Sequence, residues 1–353
     1  VAELTDSIPN RFLGVAGGVE DSFLRELHAG KLGGARIHDG IYRSYYDQII
    51  EQAELGWGRK FHSPRSEADL RMFEGLRQSA SRFSAAKHHT LAAELRKLRG
   101  LPLKDFMRES RAYLSLQNQS WLRTEARSAM VAASSAENWD VYQRRAYLYP
   151  NLRYNAIRDE LTRPQHLLWD GAIYPIDHPI WDTRMPPNGY NCRCGTTQTD
   201  AEPNGLEPEF EPTRGFTHNP GKTGTLFSDD HPYYYVTESR ALELRRNGEV
   251  SRYRAVSKVN TNLAIERYVG RSFDLPDTAR PGRITADRLT DLAAKLPRTS
   301  VASPAVASDL LPALDVVIPQ LLPVGDGVYR FDFLGVTYLF EFIDAVLVQI
   351  STS

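Results

Sequence analysis

The sequence predicts an α+β fold: a helical N-terminal region, a loop-rich core packed on long helices, and a small C-terminal α+β domain with an antiparallel meander. Three observations carry that expectation. Leu70, Phe73, Leu76, Ala80 and Phe83 recur at three- and four-residue steps, the spacing of one buried helical face. Pro, Gly, Asn and Asp crowd residues 163–232, which breaks regular structure into loops and short strands. Val328–Phe333, Val336–Phe342 and Ala345–Ile350 alternate apolar and polar residues around the turns Leu334-Gly335 and Asp344. By texture the chain falls into blocks 1–115, 116–235 and 236–353.

Composition bounds the class. A chain of 353 residues suggests two or three folding units. With 43 Lys+Arg against 44 Asp+Glu the net charge is −1, which excludes a wholesale polycation. The 41% apolar fraction supports a sizeable core and excludes a wholly disordered chain. Mean hydropathy is −0.43, and no run of 18 apolar residues occurs, so no membrane interaction is expected. Val1-Ala2-Glu3-Leu4-Thr5-Asp6 lacks the basic and apolar regions of a signal peptide. Two cysteines, Cys192 and Cys194, cannot build a disulfide framework, so an intracellular assembly site is expected.

In the first block, Ser66-Glu67-Ala68-Asp69 resembles a capping box ahead of the periodic run. A second helix is expected at about 90–99, closed by Gly100 with Pro102 beyond it. Others are expected from Leu103 and over about 121–147. Between Arg77 and Arg111 lie nine Lys/Arg against three acids, so Arg96, Lys97, Arg99 and Lys104 are candidates for contact with DNA or an acidic protein surface. A solvated helix face explains the same stripe equally well.

The central block carries the chemistry. Cys192 and Cys194, spaced so that both sulfurs reach one side of a strand or tight turn, join His166 and His178 within a short stretch. Two thiolates and two imidazoles supply the tetrahedral count that zinc requires. A metal-free, hydrogen-bonded loop is the simpler reading, because a single Cys-x-Cys with scattered histidines is less specific than paired Cys-x-x-Cys motifs. A Cys192–Cys194 disulfide would close a small, strained ring. Arg123, Arg163, His166 and Asp170 are expected to tie the loops to a helix by charge-assisted hydrogen bonds, with Trp181 and Tyr190 as apolar anchors.

The order of motifs is itself informative: Arg123-Thr124, Arg163-Pro164-Gln165-His166, Asp170-Gly171, His178-Pro179-Ile180-Trp181, Pro186-Pro187-Asn188-Gly189-Tyr190-Asn191-Cys192-Arg193-Cys194, and Gly215-Phe216 with Asn219-Pro220-Gly221. Over residues 121–222 this series resembles the phage Mu protein F-like family of minor head proteins. One departure is Leu168-Trp169 ahead of Asp170, where a small or polar residue would sit. The resemblance marks Pro187, Gly189, Cys192, Cys194 and Gly171 as motif positions in a Mu F-like core. It implies a tailed-phage or prophage minor head protein, docked on the portal or inner shell and assisting head assembly, DNA packaging or DNA delivery. The partners would be portal or major capsid protein and packaged DNA, with no small-molecule substrate. The place would be the head interior or portal vertex of the virion, after assembly in the host cytoplasm. It says nothing of residues 236–353.

Rival chemistries are weaker. Gly215 and Gly221-Lys222-Thr223 are one residue too far apart for a phosphate loop, and Pro220 removes a needed amide. A Cys–His166 nucleophile pair, with Arg193 favouring the thiolate, lacks a recognisable oxyanion hole. A C-terminal ribonuclease would have to use Arg330, Asp332, Glu341 and Thr352, since no histidine follows His231. The expectation is therefore a binding protein without resident cofactor, or with zinc at the Cys-x-Cys loop. A C-terminal ribonuclease-type effector or a metal-assisted hydrolase at that loop is the enzyme alternative.

Overall fold

The computed structural model describes residue 15 and residues 17–206, 211–276, 278, 281–298 and 303–353, with residues 118 and 119 by backbone alone. The expectation about residues 1–6 lies outside them. The fold is α+β, and the chain divides into two compact units, 1–59 with 75–247 and 60–74 with 248–353. Both texture boundaries, after 115 and after 235, fall inside the first unit.

The first unit begins with helices α1 (Gly17–His28) and α2 (Asp39–Trp57). His38 caps α2 by accepting from the Ile41 amide, and Gly58 ends it at φ 77°, where a side chain would be strained. Helix α3 runs unbroken from Glu67 to Arg96 and contributes residues 75–96 here. The separate helix expected at 90–99 is therefore the end of α3. Ser84 to His89 contain no Gly or Pro to stop the helix, and its tail only loosens into turns before Gly100. Helix α4 (Leu103–Leu116) passes through a π turn at Gln117–Trp121 into α5 (Leu122–Arg145). Phe23, Leu24, Ile41, Tyr45, Leu91, Leu95, Phe106 and Leu114 form one core, and α2 packs along α5. Burial of such side chains contributes roughly 1.5–3 kcal/mol each relative to exposure.

After Pro150 the sequence loses helical periodicity and the chain forms a three-stranded antiparallel sheet in the order β2-β1-β3: β1 (Asn151–Asn155), β2 (Ile173–Pro175) and β3 (Gly195–Thr199). One-turn helices at Pro164–Leu167 and Ile180–Thr183 occupy the loop between strands. The sheet is anchored to the end of α5: Tyr142 Oη donates to the Thr196 carbonyl at 2.6 Å, and Gln198 Nε2 donates to the Tyr142 carbonyl at 2.8 Å. Trp139, Leu152, Tyr154, Trp169, Tyr174, Trp181 and Met185 fill the space between.

The second unit takes residues 67–74 of α3 and residues 248–268 of α6 (Glu238–Tyr268). Helix α6 is not signalled by any hydrophobic periodicity in the sequence. Its apolar residues are sparse and follow no single stripe, and Leu242, Val250 and Val259 are exposed. A six-stranded sheet follows in the order β4-β5-β9-β8-β7-β6, made of β4 (Ser272–Phe273), β5 (Gly282–Arg283), β6 (Leu322–Gly325), β7 (Val328–Phe333), β8 (Val336–Ile343) and β9 (Val346–Thr352). The meander stands where the alternation placed it, turning through Leu334-Gly335 and Asp344-Ala345, four residues at positive φ. Helix α7 (Ala286–Lys295) is followed by α8 (Pro304–Leu310), and Pro312 breaks the chain after it into short turns. Leu292, Leu310, Leu314, Phe331, Phe340 and Ile350 share its core.

Candidate functional site

The loop between β2 and β3 is built to bring a hairpin of backbone back onto β1. Trp181 is fully buried and donates from Nε1 to the Pro175 carbonyl at 3.0 Å, fixing the turn after β2. The Pro186–Pro187 peptide is cis, and Asn188, also fully buried, donates from Nδ2 to Tyr154 Oη at 3.0 Å and to the Arg184 carbonyl at 3.2 Å. Gly189 has a reason to be glycine, since a Cβ there would lie 2.8 Å from Thr213 Oγ1. Asn191 sits at φ 57°, and the Cys192 amide donates to the Gly189 carbonyl at 3.1 Å. That tight turn delivers Cys192 and Cys194 into the core beside Tyr154.

His166 meets them from the one-turn helix Pro164–Leu167. Its Nδ1 lies 3.4 Å from Cys194 Sγ and 3.6 Å from Cys192 Sγ, and all three residues are buried. No disulfide joins the thiols. The hydrogen bond from Cys194 holds the Cys192 thiol well below the ordinary range, with His166 adding to it. The same bond, with burial, pushes Cys194 up.

His178, the fourth expected ligand, is not brought to this group. Its Nδ1 accepts from the Ile180 amide at 3.2 Å and its ring lies against Tyr174. Spacing alone cannot show that the His178-Pro179 turn points its imidazole along the chain. Arg193, expected to favour a thiolate, instead pairs with Asp159, 2.6 Å from Nη1, and holds that carboxyl down at about 2.

Arg163 and Asp170 tie loop to loop, not loops to a helix as the sequence suggests. Arg163 is exposed and donates to the Tyr190 carbonyl at 2.7 Å, closing the Cys loop. Asp170 accepts from the Ala156 amide at 2.9 Å and pairs with Arg158 at 2.6 Å, and Gly171 turns at φ 86° into β2. Arg123 is half-buried on α5. Asn219 caps a single turn at Pro220–Thr223, and a Cβ on Gly221 would meet Trp139 Cβ at 2.2 Å. Here the amides that a phosphate would need are already spent on Asn219, and Lys222 pairs with Asp182.

A second assembly went unnoticed in the sequence. A cleft of about 470 Å³ is lined by Ser120, Trp121, Thr124, Glu125, Tyr190, His231, Pro232 and Tyr233. At its floor Lys87 Nζ lies 2.6 Å from Glu125 Oε2, and Tyr233 Oη donates to Glu125 Oε1 at 2.8 Å. His231 Nδ1 accepts from the Tyr233 amide, so Nε2 carries the ring proton and donates to Tyr190 Oη at 2.6 Å. Burial, with the charge of Lys87 adding, lowers His231 to about 4. One signal could have found this cleft. Glu125 is a lone carboxylate on the apolar face of α5, in register with Ala129, Ala132, Ala136 and Trp139.

In three dimensions part of the basic stripe is buried and part stays at the surface, with Lys97, Arg99 and Lys104 exposed. Arg77 and Lys87 are buried, and Arg96 donates to the Leu32 carbonyl at 3.0 Å. Arg99 donates to the His28 carbonyl at 3.3 Å, and Lys97 pairs with Glu94 at 2.6 Å. Arg108 and Arg111 pair with Asp105 and Asp21, while Lys104 is exposed. In the C-terminal unit, Arg330 and Asp332 lie 3.6 Å apart on the outer face of β7, and Asp332 accepts from Thr337 at 2.6 Å. They alternate with buried Tyr329, Phe331 and Phe333, as in a sheet with one wet face.

A small sheet anchored to the end of a long helix and carrying a buried cysteine–histidine group is the class of core that the fold and site define. Residues 87–197 match the family described as Phage Mu protein F like protein. The resemblance read from the motifs therefore holds over the helix–sheet core, and the Asn219-Pro220-Gly221 segment lies beyond the matched residues. A 73-residue stretch is 40% identical to the Mu-like prophage FluMu F protein of Haemophilus influenzae, covering 21% of this chain and 18% of that protein. Another, of 49 residues, is 45% identical to the putative capsid assembly protein F of Escherichia phage Mu, covering 14% and 11%. The chain thus spans less than a fifth of the length of either curated relative. No solved structure matches it.

Proposed function

We propose that this chain is a component of a tailed-phage or prophage head, which docks on the portal or inner shell and assists assembly before DNA enters. The carrying observation is that the family match, residues 87–197, covers the helix–sheet core, and one relative is named as a capsid assembly protein. Its work is binding rather than catalysis. The loop between β1 and β2 presents Leu161 at 82% and Leu168 at 60% exposure, the kind of apolar surface that a protein partner covers. Among the described residues no helix is long and apolar enough to cross a membrane.

The test is co-expression of the full chain with the portal and major capsid proteins of its own prophage. Co-purification with either, lost in Leu161→Glu/Leu168→Glu, supports the reading. Absence of the chain from purified heads overturns it. The full chain is required, because residues 60–74 belong to the unit formed by 248–353 and truncation would strip Leu70 of its cover.

A further inference from the structure

We propose that His166, Cys192 and Cys194 hold one zinc ion, with a water or other small ligand in the fourth position. The three ligand atoms lie within 4.8 Å of one another, in three buried residues. Zinc bonds of about 2.3 Å to sulfur and about 2.0–2.1 Å to nitrogen, set tetrahedrally, place nitrogen and sulfur roughly 3.6 Å apart. The observed separations are 3.4 and 3.6 Å.

Hydrogen bonding alone accounts for less of this arrangement. His166 Nδ1 approaches both sulfurs at once, although its one proton can be given to only one of them. A dication with two thiolates is neutral overall, so the metal removes the charge penalty that either thiolate would face in the core. The surroundings supply what a metal thiolate uses. The Asn188 backbone amide hydrogen-bonds Cys192, and Tyr154 hydrogen-bonds Cys194. Asn188 Oδ1 is buried with no hydrogen-bond partner. It belongs to the residue that already reaches Cys192 and Tyr154, so it is the acceptor that a bound water needs. The ion would join the turn Pro164–Leu167 to the start of β3, holding a loop segment that has little regular structure of its own.

The experiment uses full-length protein purified from zinc-supplemented cells. Elemental analysis should find one zinc per chain, retained in His178→Ala and lost in Cys192→Ser and in Cys194→Ser. Replacement by cobalt should give the sulfur-to-cobalt charge-transfer band and the intense visible bands of a tetrahedral site. Should the serine variants fail to fold, the cobalt spectrum of the unmodified chain decides by itself. A folded chain with no stoichiometric metal, a cobalt spectrum without thiolate bands, or zinc retained in the Cys192→Ser/Cys194→Ser double variant would each overturn the proposal.

Discussion

Lys87 Nζ lies 2.6 Å from Glu125 Oε2, joining α3 to α5 with both side chains sealed from solvent. Two charges taken out of water in this way need each other. Removing either one leaves the other buried and uncompensated, whereas a matched apolar pair need not destabilise at all. Lys87→Met alone or Glu125→Leu alone should therefore cost about 3–5 kcal/mol. The double variant Lys87→Met/Glu125→Leu should cost clearly less than either single one, and urea unfolding of the four-protein cycle reads the difference. Equal losses would mean that the pair is not the electrostatic unit described.

His231 gives the same unit a pH dependence whose sign follows from its hydrogen bonds. The folded ring stays neutral down to about 4, while in the unfolded chain it titrates at 6.5. Between those values the unfolded state binds the extra proton, so stability falls as pH drops from about 6.5 to 4 and levels below. The contribution is on the order of 3 kcal/mol. Unfolding midpoints measured across that range should flatten in His231→Gln; an unchanged slope would assign the effect to other groups. His88, fully buried and lowered to about 3, acts in the same direction.

In the C-terminal unit Arg252 meets two buried carboxylates. Its Nη2 lies 2.6 Å from Glu74 Oε1 and also bonds Asp309. Asn260 donates a further bond to Asp309 at 2.7 Å. Arg252→Met leaves two anions facing each other and should destabilise this unit by about 3–5 kcal/mol. Calorimetry should show the loss confined to the transition that also responds to core changes such as Phe340→Ala.

Gly56 marks the closest approach of α2 and α5, for a Cβ there would lie 2.0 Å from the Met130 carbonyl oxygen. Replacing a helical glycine by alanine ordinarily gains about 0.8–1 kcal/mol. Forcing the two helices apart costs about 1–3 kcal/mol, so Gly56→Ala should lower the melting temperature. Gly100→Ala, where a Cβ meets nothing within 4 Å, is the control.

The comparison of sequence and structure turns on a few elements. The meander was legible because half-burial forces a period of two and because Leu334-Gly335 and Asp344-Ala345 are residues that turns accept. The long helix 238–268 was not, since its burial follows no amphipathic stripe. In the central block, the motif order located the Cys loop, and three of its four proposed donors converge; His178 turns away.

By itself, then, the sequence determined the α+β class, the helices around a loop-rich core and the family resemblance of that core, all written in local spacing. Tertiary structure alone decided which charges face one another. Lys87 left the basic stripe for Glu125, and Cys192, Cys194 and His166 closed into one buried group across 28 residues of chain. The physical reason is that buried polar groups must find partners, and those partners are chosen by packing rather than by distance along the chain.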